Sequence, residues 1–297
     1  MPDRRIHLDA TAVTILVGCC FLWGLNQVAA KVALPEVSAL WQTAARSIGG
    51  SLLVFGWARW RRIPLFDRDG SLPGGLLAGL LFGLEFACIF LGLQYTTASR
   101  MAVFIYVSPF VVALGMPWIS RAERLSPLQW TGLAVGFGGV VIALAEGFTQ
   151  PAAGPKQWLG DLLGFIAGVL WGATTLAIRG SKLASAPAEK MLLYQLAVSG
   201  VALGAAALVA GGPLPRSLSP LATASMLFQV VIIVFASYLL WFWLIRHYAA
   251  TKLSSFTLLT PVFGLIMGAL LLAEPITPRL LMALGAVSFG IWVVNRR

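Results

Sequence analysis

Apolar residues run along this chain in blocks of about 16 to 24, divided by short polar stretches. Each block approaches the roughly 20 residues that a helix needs to cross ~30 Å of hydrocarbon. The alternating ten-residue segments of an outer-membrane barrel are absent, so the blocks are predicted to be helical. Ten spans result, approximately 10–30, 37–58, 74–97, 101–120, 128–145, 162–178, 191–210, 222–245, 253–272 and 280–295. Pro35, Pro73, Pro127, Pro220 and Pro278 stand where a span begins, a place in which a missing N–H costs a helix nothing. The first block follows Arg4 and Arg5 as a signal peptide would, but it lacks a small-x-small cleavage site and is expected to stay.

The pattern repeats. Phe21-Leu22-Trp23-Gly24-Leu25-Asn26 returns 148 residues later as Val169-Leu170-Trp171-Gly172-Ala173-Thr174. Ser99-Arg100-Met101-Ala102, followed by Ser108-Pro109, is echoed by Thr251-Lys252-Leu253-Ser254, followed by Thr260-Pro261. Five spans per copy is an odd number, so the second copy starts on the opposite side of the membrane. The expected fold is an all-α integral membrane protein of ten transmembrane helices in two inverted five-helix repeats, residues 1–148 and 149–297, joined by a polar connector at 146–160. Inverted repeats place a binding site between them near the bilayer midplane and supply two mirror-related conformations.

Composition agrees with a membrane protein: 59% of the 297 residues are hydrophobic and 11% charged. The charge sets an orientation. With the N-terminus inside, 15 of the 21 Lys and Arg face the cytoplasm, five (Lys31, Arg100, Lys156, Arg216, Arg279) lie outside or near the outer boundary, and Arg46 lies within a span. That bias predicts two cytoplasmic termini. The net charge of +10 is therefore a topology signal, and no basic arm or stacking motif suggests nucleic acid.

These features together resemble the ten-helix exporters of the drug/metabolite transporter superfamily, each half resembling one EamA-type unit. The first unit carries Trp23-Gly24, Ala98-Ser99 with Pro109, then Glu123-Arg124-Leu125-Ser126 before a span with Gly132, Gly136, Gly138 and Gly139. The second carries Trp171-Gly172, Ala250-Thr251 with Pro261, then Glu274-Pro275-Ile276-Thr277 before Gly285 and Gly290. Overall likeness points to the aromatic-amino-acid exporter branch. The resemblance implies a bacterial inner-membrane protein that exports a small molecule, an amino acid or related metabolite, by alternating access without a cofactor. Broad export of drugs or organic cations is the alternative within this fold.

The substrate-binding candidates are polar and aromatic groups inside the spans: Trp23, Asn26, Phe82, Glu85, Phe86, Tyr106, Trp171, Thr174, Tyr238 and Trp241. Glu85 stands deep in the third span, where an unpaired carboxylate costs several kcal/mol. Two readings stand: it receives an ammonium group or carries a proton, or it locks spans together, against Arg46. Arg46 and its repeat counterpart Gln195 look like scaffold, with a substrate-carboxylate role as the lesser reading. Trp23 and Trp171 lie deeper than interfacial anchors do, each beside a glycine that permits close helix approach, and Asn26 and Thr174 share their faces. Phe82, Phe86, Tyr106, Tyr238 and Trp241 suit an aromatic box for planar or cationic ligands, or else ordinary packing. Ser108, Pro109, Thr260 and Pro261 are matched hinge candidates. Glu123 and Glu274 are expected to cap or fix turns. The elements Gly75-x-x-x-Gly79 and Gly132-x-x-x-Gly136 serve packing within the chain or a homodimer, although a monomer suffices for transport.

Other chemistries find little support. His7 and His247 lie near the membrane surface, and Cys19, Cys20 and Cys88 lack zinc or disulfide spacing, so no metal site or Ser-His pair is expected. Walker and dinucleotide-binding motifs are missing. A channel is harder to set aside than an enzyme.

Overall fold

The computed structural model describes residues 9–119, 126–149, 153–210, 212, 214–215, 217–248, 257 and 259–294, without the side chains of Phe242, Ile245 and Arg246. Glu123 and the Thr251 to Ser254 echo lie outside these residues. The described chain is helical, with no strand. Its helices are α1 (Ala10–Ala33), α2 (Ala39–Trp60), α3 (Leu72–Gly92), α4 (Ala98–Ile119), α5 (Pro127–Thr149), α6 (Gln157–Arg179), α7 (Ala188–Ala210), α8 (220–247), α9 (Leu259–Leu272) and α10 (Pro278–Val294). Among the described residues, seven helices are long and apolar enough to cross a membrane: α1, α3, α4, α5, α6, α7 and the Pro220–Trp241 part of α8. Helices α9 and α10 are apolar but shorter, and α2 buries Gln42, Thr43, Arg46 and Ser47 along its 22 residues. Leu76, Leu80 and Leu84 of α3 and Val201 and Leu208 of α7 are exposed, so apolar side chains cover the outer faces as well as the core, as a lipid solvent requires.

Local chemistry sets the helix ends. Asp9 accepts from the Ala12 N–H at 2.9 Å to open α1, and Thr97 accepts from the Arg100 N–H at 3.1 Å to open α4. Pro127, Pro220 and Pro278 occupy first helical positions and Pro73 the second. Pro35 differs from expectation. It lies in the turn after α1, and α2 begins four residues later at Ala39. The connector is also shorter than its polarity suggested: Glu146 is buried within α5, which runs to Thr149, and α6 begins at Gln157.

Two helices depart from α geometry. In α4, Pro109 has no N–H to offer the Ile105 carbonyl, and residues Ile105–Val107 tighten into a 3-10 turn in which the Ser108 N–H takes that carbonyl instead. In α8, Phe228–Ser237 form a π-helical stretch, continued by α-helical Tyr238–His247. Wide turns of this kind recur at functional sites. Nothing in the apolar pattern marked this one.

The principal pairings are α5 on α10, α2 on α7, α3 on both α6 and α7, α1 on α9, α4 on α6 and α9, and α8 on α1 and α2. Glycine permits these approaches. Gly75 and Gly79 lie under Tyr194 and Val198 of α7, and Gly132 and Gly136 lie under Val293 and Phe110, so both G-x-x-x-G elements are used inside the chain. A Cβ on Gly24 would stand 2.6 Å from the Gly264 nitrogen, which brings α1 and α9 nearly backbone to backbone. Outside the spans, buried Lys190 bonds the Asp69 carboxylate at 2.8 Å and the Asp67 carbonyl at 2.9 Å, pinning the α2–α3 loop to α7. Hydrogen bonds from Lys190 and Ser71 hold Asp69 well below the usual carboxylate range. The exposed carboxylate of Glu36 is lowered likewise by Ser219, whose hydroxyl caps α8.

The α5–α10 contact yields a test. A Cβ on Gly290 would lie 2.5 Å from the Gly132 carbonyl oxygen and 3.0 Å from the Gly136 Cα, whereas one on exposed Gly285 meets nothing within 4 Å. Gly290→Val is expected to destabilise the protein by about 1–3 kcal/mol, the usual cost of overpacking. Unfolding in detergent should show a lowered midpoint for that variant and an unchanged one for Gly285→Val.

Candidate functional site

Helices α1, α3 and α8 bring six of the sequence candidates into one set: Trp23, Phe82, Glu85, Phe86, Tyr238 and Trp241. The Trp23 indole N–H donates to Ser237 Oγ at 2.9 Å, at the end of the π stretch, and its ring stands edge-on to Trp241 (5.4 Å between centroids) and Tyr238 (6.5 Å). Ser237 Oγ in turn donates to the Ile233 carbonyl at 2.6 Å, so its orientation is fixed from both sides. Arg46 reaches in from α2. Its Nη2 donates to the Tyr238 hydroxyl at 3.3 Å, and its guanidinium carbon lies 4.1 Å from the Phe86 ring centroid and 5.5 Å from that of Phe90. Phe86 leans on Phe82 at 4.6 Å.

Glu85 stands beside this stack, 4% exposed, and Arg46 is 1% exposed. The two side chains are within electrostatic reach of each other. They form no ion pair within 4.0 Å, and Arg46 Nη1 and Glu85 Oε2 have no hydrogen-bond partner. Polar atoms of this kind are expensive to bury and rare in folded proteins. The direct Arg46–Glu85 lock considered from sequence is therefore not formed.

The other candidates fall nearby or turn away. Tyr106 of α4 and Trp171 of α6 meet edge to face at 5.8 Å, and Tyr106 lies beside Thr260. Trp171 packs on both large apolar clusters, one centred on Phe82, Phe86 and Phe90 and the other on Phe104, Phe110 and Leu265. Asn26 is buried with Oδ1 unpartnered. Thr174 donates at 2.9 Å to Leu170 of its own helix. Ser108 and Pro109 follow the 3-10 turn of α4, while Thr260 and Pro261 are the second and third residues of α9. Gly24 crosses Phe263 and Gly264 of α9, and Gly172 crosses Ser108 and Val111 of α4.

A second polar centre escaped the sequence reading. Arg100, 3% exposed, sits at the start of α4 and binds Asp161 of α6 through Nε at 3.0 Å and Nη2 at 2.7 Å, Glu146 of α5 through Nη1 at 2.6 Å, and the Ala143 carbonyl. Thr96 donates to Asp161 at 2.6 Å. Beside it, Glu274, following α9, accepts from the Ala98 N–H (2.8 Å), the Ser99 N–H (2.9 Å) and the Ser99 hydroxyl (2.7 Å), and from Lys31 at 3.3 Å. Glu274 thus caps the N-terminus of α4 across the bundle rather than its own turn. Lys31 also donates to the Thr96 carbonyl at 2.6 Å. Residues from four helices and two turns close one end of the bundle. The available signal was that Lys31, Arg100, Glu146, Asp161 and Glu274 all fall at block ends on the same expected face, but their partners are 46 to 243 residues apart.

This arrangement, a helical bundle with charged and aromatic groups gathered inside it and one end bound by an ion-pair network, can be set beside known proteins. The sequence model of the EamA-like transporter family matches the chain at residues 10–145 and again at 158–296. The chain belongs to the EamA-like transporter family, within the drug/metabolite transporter superfamily. It is 28% identical over 288 residues to an uncharacterized transporter of Archaeoglobus fulgidus, covering 96% of this chain and 94% of that protein. It is 26% identical over 294 residues to the S-adenosylmethionine/S-adenosylhomocysteine transporter of Chlamydia muridarum, covering 96% and 92% respectively. A protein known from its crystal structure shares the fold with a TM-score of 0.67 at 17% identity, over 96% of this chain and 97% of that one. The transporter family implies a multi-pass membrane protein with a small-molecule substrate.

In this transporter the Arg100 centre should dominate local stability. Arg100→Ala leaves Asp161 and Glu146 buried without their cation and is expected to cost about 3–5 kcal/mol. Arg100→Lys restores the charge but not the fork, and should recover only part of it. Half-buried Arg279, whose solvent-exposed hydrogen bond reaches Thr149 at 3.1 Å, is the control, with an expected effect of Arg279→Ala within about 0.5 kcal/mol. Denaturant unfolding in detergent micelles measures all three.

Proposed function

We propose that this EamA-family protein is a secondary carrier that exports amino acids, aromatic and other neutral ones, across a bacterial inner membrane by alternating access. The observation that carries this reading is the set around Glu85, in which a buried carboxylate, a buried guanidinium and five aromatic rings are gathered from four helices. Aromatic faces and edges suit planar side chains, and buried charge inside a membrane protein ordinarily lines a pathway.

Ten spans in two inverted repeats, 1–148 and 149–297, belong to the same proposal, and the helix pairing supports them. Exchanging α1 with α6, α2 with α7, α3 with α8, α4 with α9 and α5 with α10 converts α3–α6 into α8–α1, α3–α7 into α8–α2 and α1–α9 into α6–α4, all of which occur. The same exchange leaves α2–α7, α4–α9 and α5–α10 unchanged. The excess of Lys and Arg on one face supports cytoplasmic termini. Outward direction rests on the resemblance to ten-helix exporters.

A second reading, transport of an organic cation or a cationic metabolite, is favoured by the buried Glu85 carboxylate and by the substrates for which the chlamydial relative is named. Counterflow into liposomes containing the purified protein separates the readings. Labelled L-phenylalanine should exchange saturably, and Glu85→Gln should reduce the rate at least about tenfold, the effect of losing one charged contact. Runs with and without a pH gradient distinguish proton antiport from uniport. Flux that never saturates would indicate a channel, and an unaltered Glu85→Gln profile would remove that residue from the site.

A further inference from the structure

We propose that Arg46 and Glu85 form a clamp for the head group of an α-amino acid, with the substrate carboxylate on Arg46 Nη1 and its ammonium on Glu85 Oε2. This deepens the amino-acid reading of the same site and rests on it. Each half of the clamp is a buried polar group with an unused atom, at 1% and 4% exposure. They are near enough to feel each other's charge yet make no ion pair within 4.0 Å, so each retains the capacity to take a partner.

Arg46 is held for this task from three sides. Tyr238 takes Nη2, while the Phe86 and Phe90 rings lie against the guanidinium, leaving Nη1 as the free prong of a planar donor. Charge balance selects the ligand. With both groups ionised the pair is neutral, and a zwitterion keeps the site neutral while pairing both members. A cation would satisfy Glu85 and leave buried Arg46 without a counter-charge; an anion would do the reverse. The positions related by the sequence repeat, Gln195 and Ser237, carry no charge, and both are already engaged: Gln195 donates to Met191 at 3.3 Å, and Ser237 bonds Trp23. The clamp is therefore confined to one half of the chain, and Trp23, Tyr238 and Trp241 lie where a side chain extending from it would be received.

The test uses the full-length protein in liposomes and three probes of one shape: L-phenylalanine, phenethylamine, which lacks the carboxylate, and 3-phenylpropionate, which lacks the ammonium. The wild-type protein should prefer phenylalanine over either analogue by at least about tenfold in kcat/KM, one charged contact being worth that much or more. Arg46→Gln should erase the preference over the amine and keep that over the acid; Glu85→Gln should do the opposite. The wild-type panel needs no variant to fold. Equal handling of phenylalanine and phenethylamine would overturn the clamp while leaving a carrier in place. Absence of saturable flux for phenylalanine and for a wider set of neutral amino acids would overturn the amino-acid reading and the clamp with it. A uniform loss for all three probes in both variants, with the wild-type preference absent, would assign the pair to scaffold.

Discussion

The Arg100 guanidinium is the point on which the closed end of this bundle depends. It stands at the first turn of α4 and gathers α5 through Glu146 and α6 through Asp161, while Glu274 and Lys31 draw in α9 and α1 around the same turn. Formal charge there sums to three carboxylates against two cations. The balance is supplied by the Ala98 and Ser99 N–H groups at the positive end of the α4 dipole, which donate to Glu274. An arrangement so fully bonded is costly to break by removing one member and much less costly to exchange as a whole, because desolvation offsets most of what the pairs contribute. Under the alternating-access reading, that combination suits a seal: specific in geometry, modest in net free energy.

Stiffness and softness are separated along the helices. Where backbones approach through glycine, at Gly132 with Gly290 and at Gly24 with Gly264, no side chain intervenes that could repack, and the contacts are rigid. Where α geometry fails, at the 3-10 turn before Pro109 and the π stretch of α8, the helix already holds strained or shifted hydrogen bonds. The π stretch delivers Ser237 and Tyr238 to Trp23 and Arg46, so the element most able to shift register is the one that fixes the aromatic set. Movement there would be felt at Arg46 directly, through the Tyr238 hydroxyl.

Much of the fold was legible because a bilayer demands long apolar helices and leaves few alternatives. Block positions, proline starts such as Pro127 and Pro278, and the glycines that mark tight crossings all express local rules. Pro35 misled because a proline is as much at home in a turn as at a first helical position. The connector misled because Glu146 reads as solvent-facing polarity until its partner Arg100, 46 residues away, is in place. The π stretch left no trace, since its composition is as apolar as any helical span. Of the candidate site, the aromatic partners of Trp23 were anticipated by type. The Arg100 centre was not, because pairing between distant charges is a property of the packed state and not of any window of sequence.

What distinguishes the Arg100 end of the bundle from the proposed binding site is how their charges are satisfied. At the Arg100 centre the guanidinium donates to two carboxylates and a carbonyl, and Glu274 accepts from four donors, so the end is chemically complete in the absence of any ligand. In the middle, Arg46 makes one hydrogen bond and two ring contacts and keeps Nη1 in reserve, while Glu85 keeps Oε2. A transporter needs that difference. Under the proposed clamp, groups that seal find their partners in the protein, whereas groups that bind are held in place by neighbours and left short of a partner, and the aromatic stack on Arg46 supplies the holding without occupying the Nη1 donor.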